Sequence, residues 1–282
     1  MEKALKKYFP FFVLPTLIAF VTVFLFPFIL GVWLSFTKFT TIFNAKFVGF
    51  SNYITAFSSS QKFLRAFGFT TIFTIVSVIT INVIAFSIAL ILTRGIKGTN
   101  LFRTVFFMPN LIGGIVLGYT WQVMLNSILL KLINQGLLSS EKLGFWGLVI
   151  LMNWQLVGYM MVIYIAGLQN VPPSLIEAAE IDGASKWTIL KNVTIPMVMP
   201  SITICTFLSL TNSFKLYDQN LALTAGAPLD KTEMLAMNIV KTMFSRVGFE
   251  GVGQAKAVVF FIIVAIIAYV QLRFTRNKEV EE

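Results

Sequence analysis

Long apolar stretches alternate with short polar segments along the whole chain. A helix needs about 20 apolar residues to cross a hydrocarbon layer about 30 Å thick, and six stretches reach that length with few charged residues. The membrane-spanning helices predicted in this way are residues 11–36, 67–93, 102–125, 145–169, 200–224 and 255–274. Because backbone polar groups inside lipid must bond within their own segment, the pattern predicts an all-α, polytopic membrane protein with six transmembrane helices. We expect residues 1–282 to form a single transmembrane domain.

The composition also indicates a membrane protein. Of the 282 residues, 57% are hydrophobic and 12% are charged, whereas soluble domains carry about 25% charged residues. The net charge is +10, and cations concentrate in the cytoplasmic loops of membrane proteins. The short turn TRGIKGTNLFR holds three cations and no acid, which predicts that this turn and both termini are cytoplasmic. We therefore assign the excess of cations to topology and contact with the lipid bilayer, and expect no nucleic-acid partner.

The chain lacks the residues that common catalytic mechanisms require. It contains no histidine and one cysteine, Cys205, in the fifth apolar stretch, where we expect a small side chain at a helix contact. It has neither the G-x-x-x-x-G-K-[ST] motif of nucleotide hydrolysis nor the G-x-S-x-G motif of serine hydrolases. We therefore expect a non-catalytic subunit with no metal site, whose energy comes from a partner or a gradient.

The longest polar interruption is VPPSLIEAAEIDGASKWTILKNVTIPMVMP, between the fourth and fifth apolar stretches. The Pro-Pro pair at its start suits the first turn of a helix, where a missing N–H is tolerated. Gly183 suits the end of that helix, where a left-handed residue is favoured, and Ser185 is the expected cap of a second short helix. The pattern predicts an elbow of two short helices outside the membrane, within a loop that covers residues 170–199.

Acidic and small side chains divide the first helix of this elbow. At 100° per residue, Glu177 and Glu180 share one side, and apolar and small residues occupy the other. Glu180 and Asp182 lie near the negative end of the helix dipole, at a cost of about 0.3–1 kcal/mol each. A cation should compensate them, either Lys186 or a basic groove on another protein. A solvated elbow without a partner is the remaining alternative.

The segment EAAEIDGASKWTILKNVTIPMVMP resembles the E-A-A-x-x-x-G-x(9)-I-x-L-P signature of the permeases of binding-protein-dependent ABC importers. The residues that carry the resemblance are Glu177, Ala178, Ala179, Asp182, Gly183, Ala184 and Pro196. The resemblance implies that the elbow is a cytoplasmic coupling helix, seated in a cleft of an ATPase subunit. It also implies that ATP and Mg²⁺ bind to that partner, so that this chain carries no cofactor. Ile195 stands where leucine is usual, which leaves the implied docking role unchanged.

Further segments resemble the carbohydrate-uptake branch of these permeases, which includes the maltose and glycerol-phosphate permeases. They are FVGFSNYITAF, FRTVFFMPNLIGGIVLGYTWQVML, NSFKLYDQNLALTAGAP and TEMLAMNI, so that the resemblance covers nearly the whole chain. Within this branch the chain resembles the first of two different permeases. The resemblance implies a multi-pass protein of the bacterial cell membrane whose partners are a second permease, two copies of a cytoplasmic ATPase, an extracellular solute-binding protein and a sugar. Ala227 departs from the branch, which often has a glycine there.

Polar residues inside the predicted spans are the candidates for a solute path, because polar groups in a bilayer tend to face a cavity or the bundle interior. The candidates are Trp121, Asn153, Gln155, Tyr159, Asn212, Lys215 and Asp218. Amides and hydroxyls suit sugar hydroxyls, and aromatic faces suit pyranose rings. Hydrogen bonds between helices are the alternative role. Resemblance to the maltose permeases favours Asn153, Tyr159 and Asn212 as solute contacts.

Lys215 and Asp218 leave the chemistry of the solute open. Three residues apart in one helix, they can form an ion pair with a structural role. An unpaired Lys215 instead favours an acidic or phosphorylated solute, such as a polyol phosphate. A gradient-driven carrier is the alternative from another class of transporter. It predicts inverted repeats or chains of intramembrane ionisable groups, and beyond these two residues the sequence shows little of either.

Overall fold

Helices make up most of the computed structural model of the protein, which describes residues 2–276. Within these residues the α-helices are α1 (Glu2–Phe20), α2 (Phe26–Leu34), α3 (Ser51–Ala56), α4 (Phe63–Leu92), α5 (Thr99–Phe107), α6 (Gly114–Ile133), α7 (Glu141–Gln169), α8 (Pro173–Ile181), α9 (Lys186–Ile189), α10 (Ile195–Met197), α11 (Met199–Phe214), α12 (Asp218–Leu223), α13 (Leu235–Phe244) and α14 (Glu250–Arg276). The strands described are β1 (Thr37–Lys38) and β2 (Lys46–Phe47), which form one antiparallel pair. The predicted all-α fold class is confirmed.

Five of the described helical segments are long and apolar enough to cross a membrane. They are Phe11–Leu34, which joins α1 to α2 through a π-helical turn (Val21–Leu25), and the helices α4, α6, α7 and α14. The central one is α7, because 67% of its most apolar window is buried inside the protein, compared with at most 28% for the others. The exposed apolar faces of the other four suit contact with lipid or with another membrane subunit.

The predicted helix 200–224 needs correction. The segment Lys186–Met197 meets α11 at an angle of 71°, and the two pass as one span only together. The predicted helix does not continue to residue 224, because α11 ends at Phe214 and three residues separate it from α12. Tertiary packing explains the break, because α12 lies against α6 at Gly114 and Gly118. A Cβ added at Gly114 would come within 2.8 Å of Cβ of Asp218, so α6 can approach α12 this closely only without a side chain there.

The predicted helix 102–125 also needs correction. A 3₁₀ turn (Met108–Leu111) follows α5, and two extended residues precede α6. Pro109 has no backbone N–H to continue the helix, and Gly113 is extended, with φ −60° and ψ 139°. The helix that is long enough to span is therefore α6, which ends beyond the predicted boundary.

The described residues fall into two compact units. The smaller one contains the residues up to Phe63 and Ile239–Ile262, and the larger one contains Leu64–Asn238 and the described residues from Ile263 onward. In the smaller unit, Nδ2 of Asn52 donates to the carbonyl oxygens of Ser35 and Thr37, at 2.8 Å each. Nζ of the fully buried Lys256 donates to Oγ1 of Thr242 at 2.7 Å. The buried side chains of Asn52 and Lys256 are thus satisfied by hydrogen bonds, as burial requires.

In the larger unit, a chain of polar side chains joins three helices. Oη of Tyr164 donates to Oδ1 of Asn82 at 2.6 Å, and Nδ2 of Asn82 donates to Oγ of Ser209 at 3.0 Å. These bonds link α4, α7 and α11 in the way that polar side chains join helices in lipid. Cys205 is fully buried, with its Sγ 3.7 Å from the carbonyl oxygen of Met160, which agrees with the predicted place at a helix contact.

Candidate coupling elbow and solute cleft

The elbow between α7 and α11 begins with α8, and local chemistry fixes both ends of this helix. Pro173 is its first residue, and Gly183 is left-handed, with φ 78°. The N–H of Gly183 donates to the carbonyl oxygen of Glu180, and the N–H of Ala184 donates to that of Ala179, at 3.0 Å each. This pair of bonds is a Schellman motif, which ends the helix. The structure thus has the helix and the glycine stop that the sequence predicts.

The second half of the elbow leads back toward the membrane. Oγ of Ser185 accepts a hydrogen bond from the N–H of Thr188 at 3.2 Å, so Ser185 caps α9 as predicted. A π-helical turn (Leu190–Thr194) joins α9 to α10, and Pro196 lies in the first turn of α10. The chain then bends by 71° into α11. The elbow is therefore directly continuous with a helix that enters the bundle.

The acidic residues of the elbow are exposed. Glu177, Glu180 and Asp182 are all exposed, and none of them forms an ion pair with a residue that the structure describes. Glu180 and Lys186 line the same cleft of about 670 Å³ on the inner side of the elbow. The local lysine therefore lies near the acids without pairing with them, which leaves their charge available to a partner.

Ile181 and Trp187 are the most exposed large apolar side chains of the elbow, and the sequence analysis missed them. The exposed fraction is 86% for Ile181 and 70% for Trp187. Ala178 is exposed, and Ala179 and Ala184 are half-buried, so small residues surround the apolar ones. An isoleucine and a tryptophan within a polar loop are a signal that could have been read from the sequence. Together with the acids they form a surface suited to the groove of another protein.

A polar cleft of about 380 Å³ lies in the bundle, where α7 faces the break between α11 and α12. Four of the predicted solute-path residues line it, namely Gln155, Asn212, Lys215 and Asp218. Asn110, Tyr217 and Gln219 line it as well. The cleft therefore combines amide groups, a phenol and both signs of charge, which suits hydrogen bonding to a polyhydroxylated solute.

Hydrogen bonds orient the amides of this cleft. Nε2 of Gln155 donates to the carbonyl oxygen of Ile112 at 3.3 Å, and Nε2 of Gln219 donates to Oε1 of Gln155 at 2.7 Å. Nδ2 of Asn212 donates to the carbonyl oxygen of Leu208, one turn back in α11. Since each amide uses a donor on the protein, the oxygen of Asn212 and the second donors of all three remain for a solute.

Lys215 and Asp218 do not form the pair that one continuous helix would allow. Lys215 follows the last residue of α11, and Asp218 is the first residue of α12. Both side chains are exposed, and neither pairs with a charged residue in the part of the chain that the structure describes. Their charges therefore face the cleft separately.

Three predicted solute-path residues lie outside this cleft. Nδ2 of Asn153 donates to Oγ1 of Thr80 at 2.9 Å, and Asn153 lines a separate, apolar cavity of about 480 Å³. The ring of Tyr159 packs edge to face against that of Phe107, with centroids 6.3 Å apart. The ring of Trp121 packs in the same way against Trp154. In this structure these side chains make contacts between helices, and their role in solute binding stays a prediction.

Asn110 and Gln219 are cleft residues that the sequence analysis missed. Asn110 belongs to the 3₁₀ turn before α6, and Gln219 belongs to the first turn of α12. Both were assigned to the interior of continuous helices. The M-P-N-L-I-G-G segment, with its proline and two glycines, was the available signal that the first of these helices is broken.

Residues 94–277 match the model of a protein family described as "Binding-protein-dependent transport system inner membrane component". This match covers most of the chain. The chain belongs to this family.

Curated relatives of this family are similar over nearly their whole length. The chain is 43% identical over 277 residues to the "Probable starch degradation products transport system permease protein AmyD" of Thermoanaerobacterium thermosulfurigenes, covering 96% of this chain and 94% of the relative. It is 29% identical over 290 residues to the "Multiple sugar-binding transport system permease protein MsmF" of Streptococcus mutans, covering 99% of each. The predicted resemblance to the carbohydrate-uptake branch is thereby confirmed.

A solved structure shares the fold. It is the "Crystal structure of a bacterial ABC transporter involved in the import of the acidic polysaccharide alginate", with a TM-score of 0.82, 19% identity and coverage of 98% of both chains. Together with the family match, this likeness supports a multi-pass membrane permease that takes part in binding-protein-dependent transport. The relatives are transport permeases, in agreement with the prediction of a membrane subunit and not an enzyme.

Proposed function

We propose that the chain is one of two permease subunits of an ATP-driven importer, and that it translocates a sugar or oligosaccharide. The observation that carries this proposal is the elbow, whose unpaired acids and exposed Ile181 and Trp187 form a surface without a partner among the described residues. Family membership supports it, as do the names of relatives that transport starch products and sugars.

The elbow is the proposed seat of a cytoplasmic ATPase, of which the importer holds two copies. ATP and Mg²⁺ bind to that partner in this scheme. The elbow continues through α10 into α11, so closure of the ATPase pair tilts the helices of the bundle as a rigid body. The cleft then opens alternately to the two sides of the membrane without any catalytic residue in this chain.

The other proposed partners are a second, different permease and an extracellular solute-binding protein. The exposed apolar faces of the spanning helices leave room for the second permease. The name of the family supports a binding protein. We place the importer in the bacterial cytoplasmic membrane with both termini in the cytoplasm, because Arg94, Lys97 and Arg103 carry positive charge without an acid in the segment from the end of α4 to α5.

A sugar suits the solute cleft, where amides and Tyr217 supply donors and acceptors for hydroxyl groups. An acidic solute is the second candidate, and one observation favours it. Lys215 lines the cleft and has no ion-pair partner among the residues described, so it can meet a carboxylate or phosphate. Asp218 in the same cleft opposes this attraction, which is why we place the neutral sugar first.

The docking role of the elbow is tested by co-purification of the ATPase with the permease pair in detergent. Glu177→Lys and Gly183→Pro should each lower the recovered ATPase at least about tenfold, because they reverse a charge and break the Schellman motif. Lys131→Glu is the matched control, since it also reverses a single charge, in the opposite direction, at an exposed position in the last turn of α6. Full recovery of the ATPase by both elbow variants would contradict the proposal.

A further inference from the structure

A third cleft, of about 640 Å³, lies at the membrane face opposite the elbow. It is lined by Phe69, Ile72, Ser139, Ser140, Glu141, Lys142, Phe145, Trp146, Pro228 and Lys231. Because α7 starts at Glu141 and the elbow follows its other end, the two sites lie at opposite ends of a helix about 43 Å long. The cleft shares no lining residue with the solute cleft.

One wall of this cleft is apolar and reaches membrane depth. With 30 residues, α4 is about 45 Å long, so about 7 Å projects on each side of a 30 Å hydrocarbon layer. Ile72 lies nine residues after the start of α4, about 6 Å inside that layer. Trp146 lies five residues after the start of α7, at its boundary. Their exposed fractions are 60% and 53%, so this wall is open at the surface of the protein.

The other wall is polar and positively charged. Nζ of Lys142 and Nζ of Lys231 make no ion pair or hydrogen bond with any residue between 2 and 276. The only acid in the lining, Glu141, lies 3.9 Å from Nη2 of Arg65, so its charge is already opposed by a cation. The cleft therefore has two uncompensated positive charges on its polar wall, next to its apolar wall.

Lys231 is held on a well-fixed loop. The fully buried Thr232 donates from Oγ1 to the carbonyl oxygen of Ala227 at 2.7 Å, and its own carbonyl oxygen accepts from Nδ2 of Asn220 at 2.8 Å. The N–H of Lys231 donates to the carbonyl oxygen of Pro228 at 2.9 Å. The ammonium group thus extends from a backbone that is fixed relative to α12.

We propose that this cleft binds the phosphodiester headgroup of an anionic phospholipid. The phosphate lies between Lys142 and Lys231, and the first part of an acyl chain runs along Ile72 and Trp146. The placement follows from charge on one wall and exposed apolar surface on the other, at the depth where headgroup and hydrocarbon meet. A free phosphate offers the same charge without the acyl chain, and the experiment separates the two.

The test uses the full chain, purified with its partner permease and titrated with phosphatidylglycerol or phosphatidylcholine, with bound lipids counted by native mass spectrometry. Phosphatidylglycerol should bind, and the Lys142→Gln/Lys231→Gln variant should bind it about 25-fold more weakly, because each lysine near a membrane surface contributes about fivefold. The control Lys38→Gln/Lys46→Gln removes the same charge from lysines that do not line the cleft and should leave binding unchanged.

Three results would overturn the proposal. The first is equal binding of phosphatidylglycerol and phosphatidylcholine by the unaltered chain. The second is equal weakening by the two double variants, which would mean that total charge and not this cleft attracts the lipid. The third is displacement of the lipid by millimolar inorganic phosphate, or by a neutral oligosaccharide, which would assign the cleft to a soluble ligand. Retention of the lipid in both competitions supports the proposal.

Discussion

The left-handed glycine at the end of α8 allows a sharp test of the elbow as an ATPase seat. A residue with a side chain pays about 1–2 kcal/mol for the conformation of Gly183, whose φ is 78°. A Cβ at this position meets no heavy atom within 4 Å, so no steric cost adds to the backbone cost. If the ATPase binds only the ordered elbow, Gly183→Ala should weaken its binding by about 5- to 30-fold.

Two more substitutions grade the effect. Asparagine tolerates the left-handed region better than alanine does, so Gly183→Asn should weaken binding less. Proline fixes φ near −65° and removes the N–H that donates to the carbonyl oxygen of Glu180. Gly183→Pro should therefore lose about 1 kcal/mol more than Gly183→Ala, which is about fivefold in affinity.

Gly248→Ala is the matched control for this series. Gly248 has φ 85°, and a Cβ there also meets no heavy atom within 4 Å, so the backbone cost is similar but falls outside the elbow. The assay titrates the ATPase onto the permease pair in lipid nanodiscs, with thermal unfolding measured in parallel. Unchanged ATPase affinity in Gly183→Ala, or equal weakening in Gly248→Ala, would refute the link between elbow order and docking.

Three further outcomes are expected. Gly158→Ala should destabilise the protein by about 1–3 kcal/mol in unfolding experiments, because its Cβ would overlap a backbone carbonyl of α5. Gly68→Ala is the control, because a Cβ there meets nothing within 4 Å. It should be neutral or stabilising by up to about 1 kcal/mol. Tyr164→Phe should lower the free energy of unfolding by about 0.6–1.7 kcal/mol through the lost hydrogen bond to Asn82. Unchanged stability would show that this hydrogen bond does not stabilise the protein. Lys215→Met should keep the uptake of neutral oligosaccharides in reconstituted vesicles and lower that of an anionic solute about tenfold; equal effects on both solutes would show that its charge does not select the solute.

Local signals explain why the elbow could be predicted from the sequence. The Pro-Pro pair, Gly183 and Ser185 each act on their own few residues, through a fixed φ, a left-handed conformation and a side-chain cap. None of them depends on what packs against the elbow. The same holds for the all-α class, because apolar stretches of this length in lipid leave the backbone no other choice.

The breaks in the third and fifth predicted spans depend on distant residues. The packing of α12 on Gly114 and Gly118 determines where α11 ends. These glycines lie about a hundred residues earlier in the chain. Hydropathy averages over a window and does not register such a contact. The polar residues near Lys215 were therefore read as the interior of one helix.

Helix geometry explains which of the predicted solute-path residues meet. Asn153 and Gln155 are two residues apart in α7 and so point about 200° apart, which means that they cannot line one cleft. Tyr159 lies on nearly the same side as Gln155 but one turn away, where Phe107 covers it. The sequence predicts that these residues lie on one helix, which is α7. The packing of neighbouring helices decides which side of α7 lines the solute cleft.

The contact of α6 with α12 through Gly114 and Gly118 has a mechanical consequence. The two backbones lie so close at these glycines that a Cβ does not fit between them, so a shift that brings a larger residue of α6 to the contact must separate the two helices. We therefore expect Asp218 and Gln219 to keep their position relative to α6 during transport. The width of the cleft must change by movement of α7 or of α11, which reaches α12 through three non-helical residues. In this description α6 and α12 form the side of the cleft that stays in place, and α7 or α11 forms the side that moves.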